Sequence, residues 1–483
     1  MPFNSLPFIL FFASFFFLYW RVFSGNLTVR NLFILVGSYF FYAWWDWRFL
    51  FLLVANTALN YFLGLRLGKT EKESQRGFLL GLGLLGGLGS LFFFKYYNFF
   101  ASSLNGAAAS LGFRLDMHVV QVILPLGISF YTFRTISYLL DIRRNKIEPV
   151  RDWLAFSCYV AFFPCLTAGP IDRAGTLVPQ LQTKKTFDYD QAVDGMRQIL
   201  WGLFKKLVIA DNCALFTNGI FDQYKTLPGS SLLFGALLFP IQLYADFSGY
   251  SDIAIGIASL LGFNVTRNFA YPFFAQNIVT YWRRWHISLT TWLTDYVFTP
   301  LSIQFRDKGK WGVIMSVVLT FTAIGIWHGA NWTYVLYGFL NGCFFIPAIL
   351  RGTMNKREKT TAGVTSFSPR ALFNRIGNFV LVALSLVIFR ADDLKQALGY
   401  YGSMFSRSIL ARPAFTENPY ALVPLIFIAL MLSVEWWQRA KPHALQLDFI
   451  KSFSIRALIY FCLIGIILVF SATANKDFIY FKF

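Results

Sequence analysis

Charge is scarce in this chain. Only 14% of its 483 residues are Asp, Glu, Lys or Arg, against about 25% in a soluble domain. Apolar residues make up 56%, Phe alone numbers 57, and mean hydropathy is +0.52. That balance leaves too little polar surface to cover water-soluble cores, and it excludes disorder, collagen and coiled coil. Cysteine is also sparse. The five are Cys158, Cys165, Cys213, Cys343 and Cys462, and none forms a Cys-x-x-Cys pair, which argues against a disulfide scaffold and a thiolate metal site. Cys158 and Cys165 lie seven apart, on one helical face, and read as buried packing. A phosphate loop, a His-Glu-x-x-His helix and a Gly-x-Ser-x-Gly elbow are all missing, so ATP hydrolysis, zinc proteolysis and serine hydrolysis lack support. No metal is expected. Acids are fewer than bases, 24 against 43, giving a net charge of +19. In so apolar a chain this reads as basic cytoplasmic loops rather than nucleic-acid binding, for which no motif is present.

What the chain does have is long apolar runs. The first, Ser5 to Phe23, lacks a basic leader and a small-x-small cleavage site, and is expected to be a membrane span rather than a signal peptide. Others occupy about 31–45, 48–66, 77–100, 119–140, 153–169, 196–220, 231–262, 311–330, 332–350, 376–390, 420–437 and 455–472. With about 20 residues needed per crossing, the expectation is an all-α polytopic membrane protein of about 11–13 transmembrane helices with re-entrant pieces. Gly-rich 81–89 reads as a close-packing helix face. Basic residues gather at 66–76, 141–152 and 351–375. Placing all three inside puts the N-terminus outside, 391–419 outside, 438–454 inside and the C-terminal tail outside. Several runs are interrupted: by Pro125 and Gly127, by Pro164, Gly169 and Pro170, and by Gly249 between Asp246 and Asp252. Non-helical backbone at membrane depth survives only where protein buries it or it lines a wet cavity, so a pocket or tunnel is expected. No internal repeat is apparent, which weighs against an inverted-repeat transporter.

Only four histidines occur. His118 and His443 lie at segment edges. His328 ends an apolar run within Ala-Ile-Gly-Ile-Trp-His-Gly-Ala-Asn, Ala323 to Asn331. A polar group there is costly and is a functional candidate by default, and imidazole suits proton transfer near neutral pH. The alternative is a histidine satisfied by a backbone carbonyl. His286 ends Tyr-Trp-Arg-Arg-Trp-His, Tyr281 to His286, a cluster that suits an interfacial anchor as well as a site. Asp246, Ser248 and Asp252 surround Gly249. They could orient a histidine, bind a cation, or brace a helix break through backbone N–H groups, and bracing is the favoured reading.

These segments, in this order, resemble the membrane-bound O-acyltransferase superfamily. The matching stretches are Leu124-Pro-Leu-Gly-Ile-Ser-Phe-Tyr-Thr-Phe133, Ala168-Gly-Pro-Ile-Asp-Arg173, Asp246-Phe-Ser-Gly-Tyr-Ser-Asp252, Tyr281-Trp-Arg-Arg-Trp-His-Ile-Ser-Leu289, Asp295-Tyr296 and Gly325-Ile-Trp-His-Gly-Ala-Asn331. The tail Asp477-Phe-Ile-Tyr-Phe-Lys-Phe483 is similar too. Within the superfamily the chain looks like the bacterial branch containing the alginate O-acetylation membrane protein, peptidoglycan O-acetylation proteins and the teichoic acid D-alanyl transfer protein. Arg134 departs from the Gln or Glu common in relatives, Thr294 from an Arg, and Ser302 to Lys310 from a Gly-Gly-Asn-Arg loop.

The resemblance implies a helical bowl with a transmembrane tunnel. It implies a catalytic core over 1–350, a basic cytoplasmic loop over 351–375, and C-terminal helices with a tail over 376–483. It makes His328 the catalytic histidine and His286 the second active-site histidine. Arg283, Arg284, Trp285 and Asn331 are the candidates for holding the donor, with Arg143 and Arg144 as further basic candidates or simple topology determinants. Trp327 and Asn331 are expected to shape the oxyanion environment. The implied donor is cytoplasmic acetyl-CoA. The implied partners are a periplasmic acetyltransferase-type acceptor protein, a polysaccharide (alginate-like exopolysaccharide or peptidoglycan) and membrane lipids, in the bacterial inner membrane. The tail Phe478 to Phe483 either docks that partner or anchors in lipid. The competing expectations are a polysaccharide or lipid transporter, a D-alanyl-type acyl transfer component, and a scaffold in which both histidines are dispensable.

Overall fold

The computed structural model describes residues 1–113, 115, 117–120, 122–354, 356, 368–414 and 422–471. The tail 478–483 and basic residues such as Arg357 and Lys359 lie outside the described residues. Among the described residues every regular element is helical. The thirteen apolar runs resolve into several kinds. Among the described residues eight helices are long and apolar enough to cross a membrane: Leu6–Phe23, Arg48–Lys69, Glu73–Ser110, Gly229–Leu260, Arg306–His328, Trp332–Leu350, Pro369–Arg390 and Phe453–Phe470. Leu27–Ala43 and Val423–Trp437 are apolar but shorter. Among the described residues the runs at 119–140 and 153–169 are broken, whereas 196–220 lies in continuous helix made of Tyr189–Leu203, Phe204–Ala210 and Asp211–Asp222, so eight candidate spans stand against the 11–13 expected from apolar length.

The chain divides into two compact units, Met1–Gly195 with Ile257–Thr266, and Met196–Gly256 with Arg267–Phe483. In the first unit, Asp152 caps the Trp153–Ala161 helix by accepting from Leu154 and Ala155 N–H. The chain then turns at Phe162, makes the single turn Phe163–Leu166, and runs on irregularly through Pro170. This break exposes backbone carbonyls that need donors. Arg134 supplies them. Fully buried on the Ile128–Arg143 helix, its guanidinium donates to the carbonyls of Tyr159 (3.2 Å), Val160 (3.4 Å), Cys165 (3.0 Å) and Pro170 (3.0 Å). Arg134 is therefore the group that satisfies the broken segment. Gly127, with φ of 72°, starts the Arg134 helix. A Cβ there would stand 2.5 Å from the Leu166 carbonyl oxygen, so the glycine serves both the left-handed turn and the close approach. Asp172 is buried and accepts from Thr266 N–H (2.8 Å) and Oγ1 (2.6 Å).

In the second unit the Gly229–Leu260 helix runs unbroken through Gly249, contrary to the expected interruption. The glycine is a crossing point: a Cβ on Gly249 would lie 2.8 Å from the Gly202 carbonyl oxygen, and one on Gly202 would lie 2.6 Å from the Gly249 carbonyl oxygen. Two backbones in contact are the gain of having glycine at both positions. The same device joins Gly309–His328 to Trp332–Cys343. A Cβ on Gly325 would meet the Tyr334 carbonyl oxygen at 2.1 Å, and one on Gly338 would meet that of Phe321 at 2.3 Å.

Candidate active site

Both candidate histidines are buried in the second unit, His286 1% and His328 5% exposed. His328 is the last residue of Gly309–His328, so the glycine-mediated contact with the following helix sets its position. Its ring packs edge-on against Phe389 (centroids 5.1 Å apart) and lies 6.4 Å from the Tyr337 ring. Trp327 stands beside both imidazoles, its indole 4.9 Å from the His328 ring and 5.9 Å from that of His286.

His286 sits at the cap between the short helices Ile278–Arg284 and Ile287–Leu293, with φ of 44°. That left-handed backbone is uncommon for a side-chain-bearing residue and costs about 1–3 kcal/mol unless its surroundings enforce it. Asn268 does so. Its backbone carbonyl accepts from Ile287 N–H (2.8 Å). Its side-chain Oδ1 accepts from Ser288 N–H (3.3 Å) and Ser288 Oγ (2.9 Å), and lies 3.0 Å from His286 Nδ1. Its Nδ2 donates to Ser251 Oγ (3.1 Å). Because the Ser288 N–H can only donate, Asn268 Oδ1 is an acceptor, and His286 Nδ1 must carry the proton. In the neutral ring the lone pair is then on Nε2. Outside the candidate spans, His286 is also held neutral: burial, reinforced by nearby His328, pulls its pKa well below the ordinary range. Phe247 completes the setting, edge-on at 4.7 Å.

The two tryptophans of the tryptophan–arginine cluster face inward. Trp282 and Trp285 are each 4% exposed. Trp285 stacks on Tyr281 at 5.6 Å and meets Phe269 edge-on at 5.1 Å, so it fills the core. Arg283 is exposed and donates to the carbonyls of Met354 (2.8 Å) and Lys356 (3.5 Å). Arg284 is half-buried, and its carbonyl accepts from Ala270 N–H. Asn331 is a helix cap: Oδ1 accepts from Thr333 N–H (3.0 Å) and Nδ2 donates to the Asp392 carbonyl (2.6 Å). Its amide oxygen and one of its two amide N–H groups therefore have structural partners.

Asp246, Ser248 and Asp252 do brace the structure, but against lysines and not against a broken helix. Lys206 Nζ lies 2.8 Å from Asp246 and 2.9 Å from Asp211. Lys205 Nζ lies 2.6 Å from Asp252, 2.8 Å from Ser248 Oγ and 3.9 Å from Glu435. Gln198 donates to Asp252 (2.9 Å), and Tyr244 OH bonds both Glu435 oxygens. Buried ions persist where each is paired and hydrogen-bonded. Tyr244 carries this network to the aromatic cluster under His286, its ring 5.8 Å from Phe269 and 6.2 Å from Trp285. Sequence reasoning missed Asn268, Glu435 and the two lysines. Lys205-Lys206 inside an apolar run was a usable signal; Asn268 offered none.

The model of the membrane-bound O-acyltransferase family matches residues 90–381, and the chain belongs to this family. It is accordingly a multi-pass membrane protein and an acyltransferase. It is 36% identical to the probable alginate O-acetylase AlgI of Pseudomonas putida, over 97% of this chain and 99% of that one. It is 31% identical to the peptidoglycan O-acetyltransferase of Helicobacter pylori, over 96% and 93%. A teichoic acid D-alanyltransferase of Streptococcus thermophilus is 28% identical over 55% and 68%.

Proposed function

We propose that the protein transfers an acetyl group from cytoplasmic acetyl-CoA across the bacterial inner membrane, for O-acetylation of an extracytoplasmic polysaccharide through a periplasmic acceptor protein. His328 is the general base. It takes the proton from an acceptor hydroxyl as the oxygen attacks the thioester carbonyl. The carbon–sulfur bond then breaks, and the leaving thiolate regains the proton from the imidazolium. His286, fixed by Asn268 with its lone pair on Nε2, orients the acyl group or the acceptor hydroxyl, and Trp327 shapes the space beside both rings. The observation that carries this reading is the pair of buried imidazoles packed about Trp327.

Acetyl is favoured over D-alanyl because relatives with O-acetylating names align over 96–97% of the chain, against 55% for the D-alanyltransferase. The basic loops 66–76, 141–152 and 351–375 support an N-terminus outside, and they offer cationic partners for the phosphates of CoA. Inverted membrane vesicles given [¹⁴C]acetyl-CoA test the proposal. Label should appear in the lumen as a protein or glycan ester in wild type and not in His328→Ala. Label that crosses equally in both, or only as free acetate, overturns it. The periplasmic fraction is added to supply the acceptor. Unchanged product after removal of 478–483 would rule out the tail as an essential docking element.

A further inference from the structure

The first unit contains a concave feature remote in sequence from both histidines. A cavity of about 800 Å³ lies at the end of the first span. One wall is Phe16, Phe17, Trp20 and Arg21, and the opposite wall is Lys184 to Phe187. Its lining divides by chemistry. Phe16, Phe17, Trp20 and Phe187 give an aromatic side, while Arg21, Lys184 and Lys185 give a cationic one, and no carboxylate is among the lining residues.

The walls are firmly built. Tyr19 OH donates to the Leu261 carbonyl (2.9 Å), and Trp20 Nε1 to that of Leu260 (3.0 Å). Trp20 meets Phe187 edge-on at 5.3 Å. Buried Arg30 donates to the carbonyls of Leu181 and Thr183 (each 2.8 Å), fixing the chain immediately before Lys184. Lys185 Nζ sits over the Phe263 ring at 5.0 Å. Burial and the nearby Arg30 lower the Lys185 pKa, so an anion here would relieve repulsion between like charges. Arg21 and Lys184 are exposed, which leaves their charge accessible to a ligand entering the pocket.

Basic and aromatic residues at the end of a span also serve as interfacial anchors. An anchor, however, requires no cavity between two chain segments more than 150 residues apart in sequence. The aromatic wall continues into the outward side of the first span, where Leu6, Leu10 and Phe17 are 61–66% exposed. A free phosphate would gain nothing from that wall, whereas a lipid places its phosphate at the span end and its chains along the apolar helix. We propose that this pocket binds the phosphate of an anionic glycerophospholipid, with the acyl chains lying along Leu6–Leu18.

The test uses the full-length protein purified in detergent, with phosphatidylglycerol, phosphatidylcholine of the same chains, and inorganic phosphate. Binding is read by native mass spectrometry and melting temperature. Basic side chains near a membrane surface each contribute about fivefold, so three predict a preference of about a hundredfold for phosphatidylglycerol over phosphatidylcholine. The variant Arg21→Gln/Lys184→Gln/Lys185→Gln should lose that preference. Arg21→Gln/Lys184→Gln, which spares the Lys185–Phe263 contact, should reduce it to about fivefold at an unchanged melting temperature without lipid. Equal binding of the two lipids, a preference that survives the triple substitution, or stabilisation by inorganic phosphate equal to that by phosphatidylglycerol would each overturn the proposal.

Discussion

Gly325→Ala should cost activity far beyond what one methyl group suggests. Gly325 lies one turn before His328 on the same helix. The new Cβ would stand 2.1 Å from the Tyr334 carbonyl oxygen and 3.1 Å from Gly338 Cα. Both obstacles are backbone, so no side chain can rotate away. Reaching ordinary contact, beyond 3.4 Å, requires the two helices to separate by about 1 Å, because close-packed interiors hold little slack to absorb it. His328 moves with its helix. A displacement of about 1 Å in a reacting group costs about 10²-fold. The assay is the rate of acyl transfer in membranes, with melting temperature in detergent measured alongside. Gly377→Ala is the control, since no heavy atom lies within 4 Å of its added Cβ. There the rate should not change, and stability should rise by up to about 1 kcal/mol. A Gly325→Ala rate within threefold of wild type refutes the reasoning.

The ion-pair network offers a second perturbation. Lys205→Met leaves Asp252 and Glu435 without their lysine and should destabilise the protein by about 3–5 kcal/mol, read by denaturation in detergent. Asn268→Leu removes the acceptor shared by His286 and Ser288. It should cost about 1–3 kcal/mol of stability and lower the transfer rate, whereas Ser251→Ala, which keeps that acceptor, should leave the rate near wild type. Arg134→Leu strands four buried carbonyls at the broken segment, each at about 1–3 kcal/mol. Little folded protein should be recovered by size-exclusion chromatography, and Arg134→Lys, with one ammonium for four acceptors, should not rescue it.

The helical class was legible because spans need long apolar runs, and the breaks near Gly127 and Pro164 were legible because proline and glycine interrupt them. Gly249 shows the limit. A glycine in an apolar stretch reads equally as a bend or as a contact, and only the partner at Gly202 decides. His328 stood out because a polar group costs most in an apolar run, whereas His286, at the end of a tryptophan–arginine cluster, read equally as part of an interfacial anchor until the resemblance singled it out. Asn268 did not stand out, because an asparagine beside a turn has many cheaper uses, and its role appears only when His286 folds onto it. Asp246 and Asp252 were visible as costly acids. Their lysine partners lie about 40 residues away in sequence, and Glu435 is nearly 200 residues away, so no local spacing could pair them.

The central claim is that His328 does chemistry and does not merely fill space. The most direct measurement takes His328→Ala and wild type in the same membranes, and scores the acyl-transfer rate and the amount and melting temperature of folded protein together. Base catalysis of this kind is worth about 10²–10⁴-fold. The account predicts a rate loss in that range at an unchanged melting temperature. A rate within a few-fold of wild type, or one that falls only in step with folded protein, would contradict it.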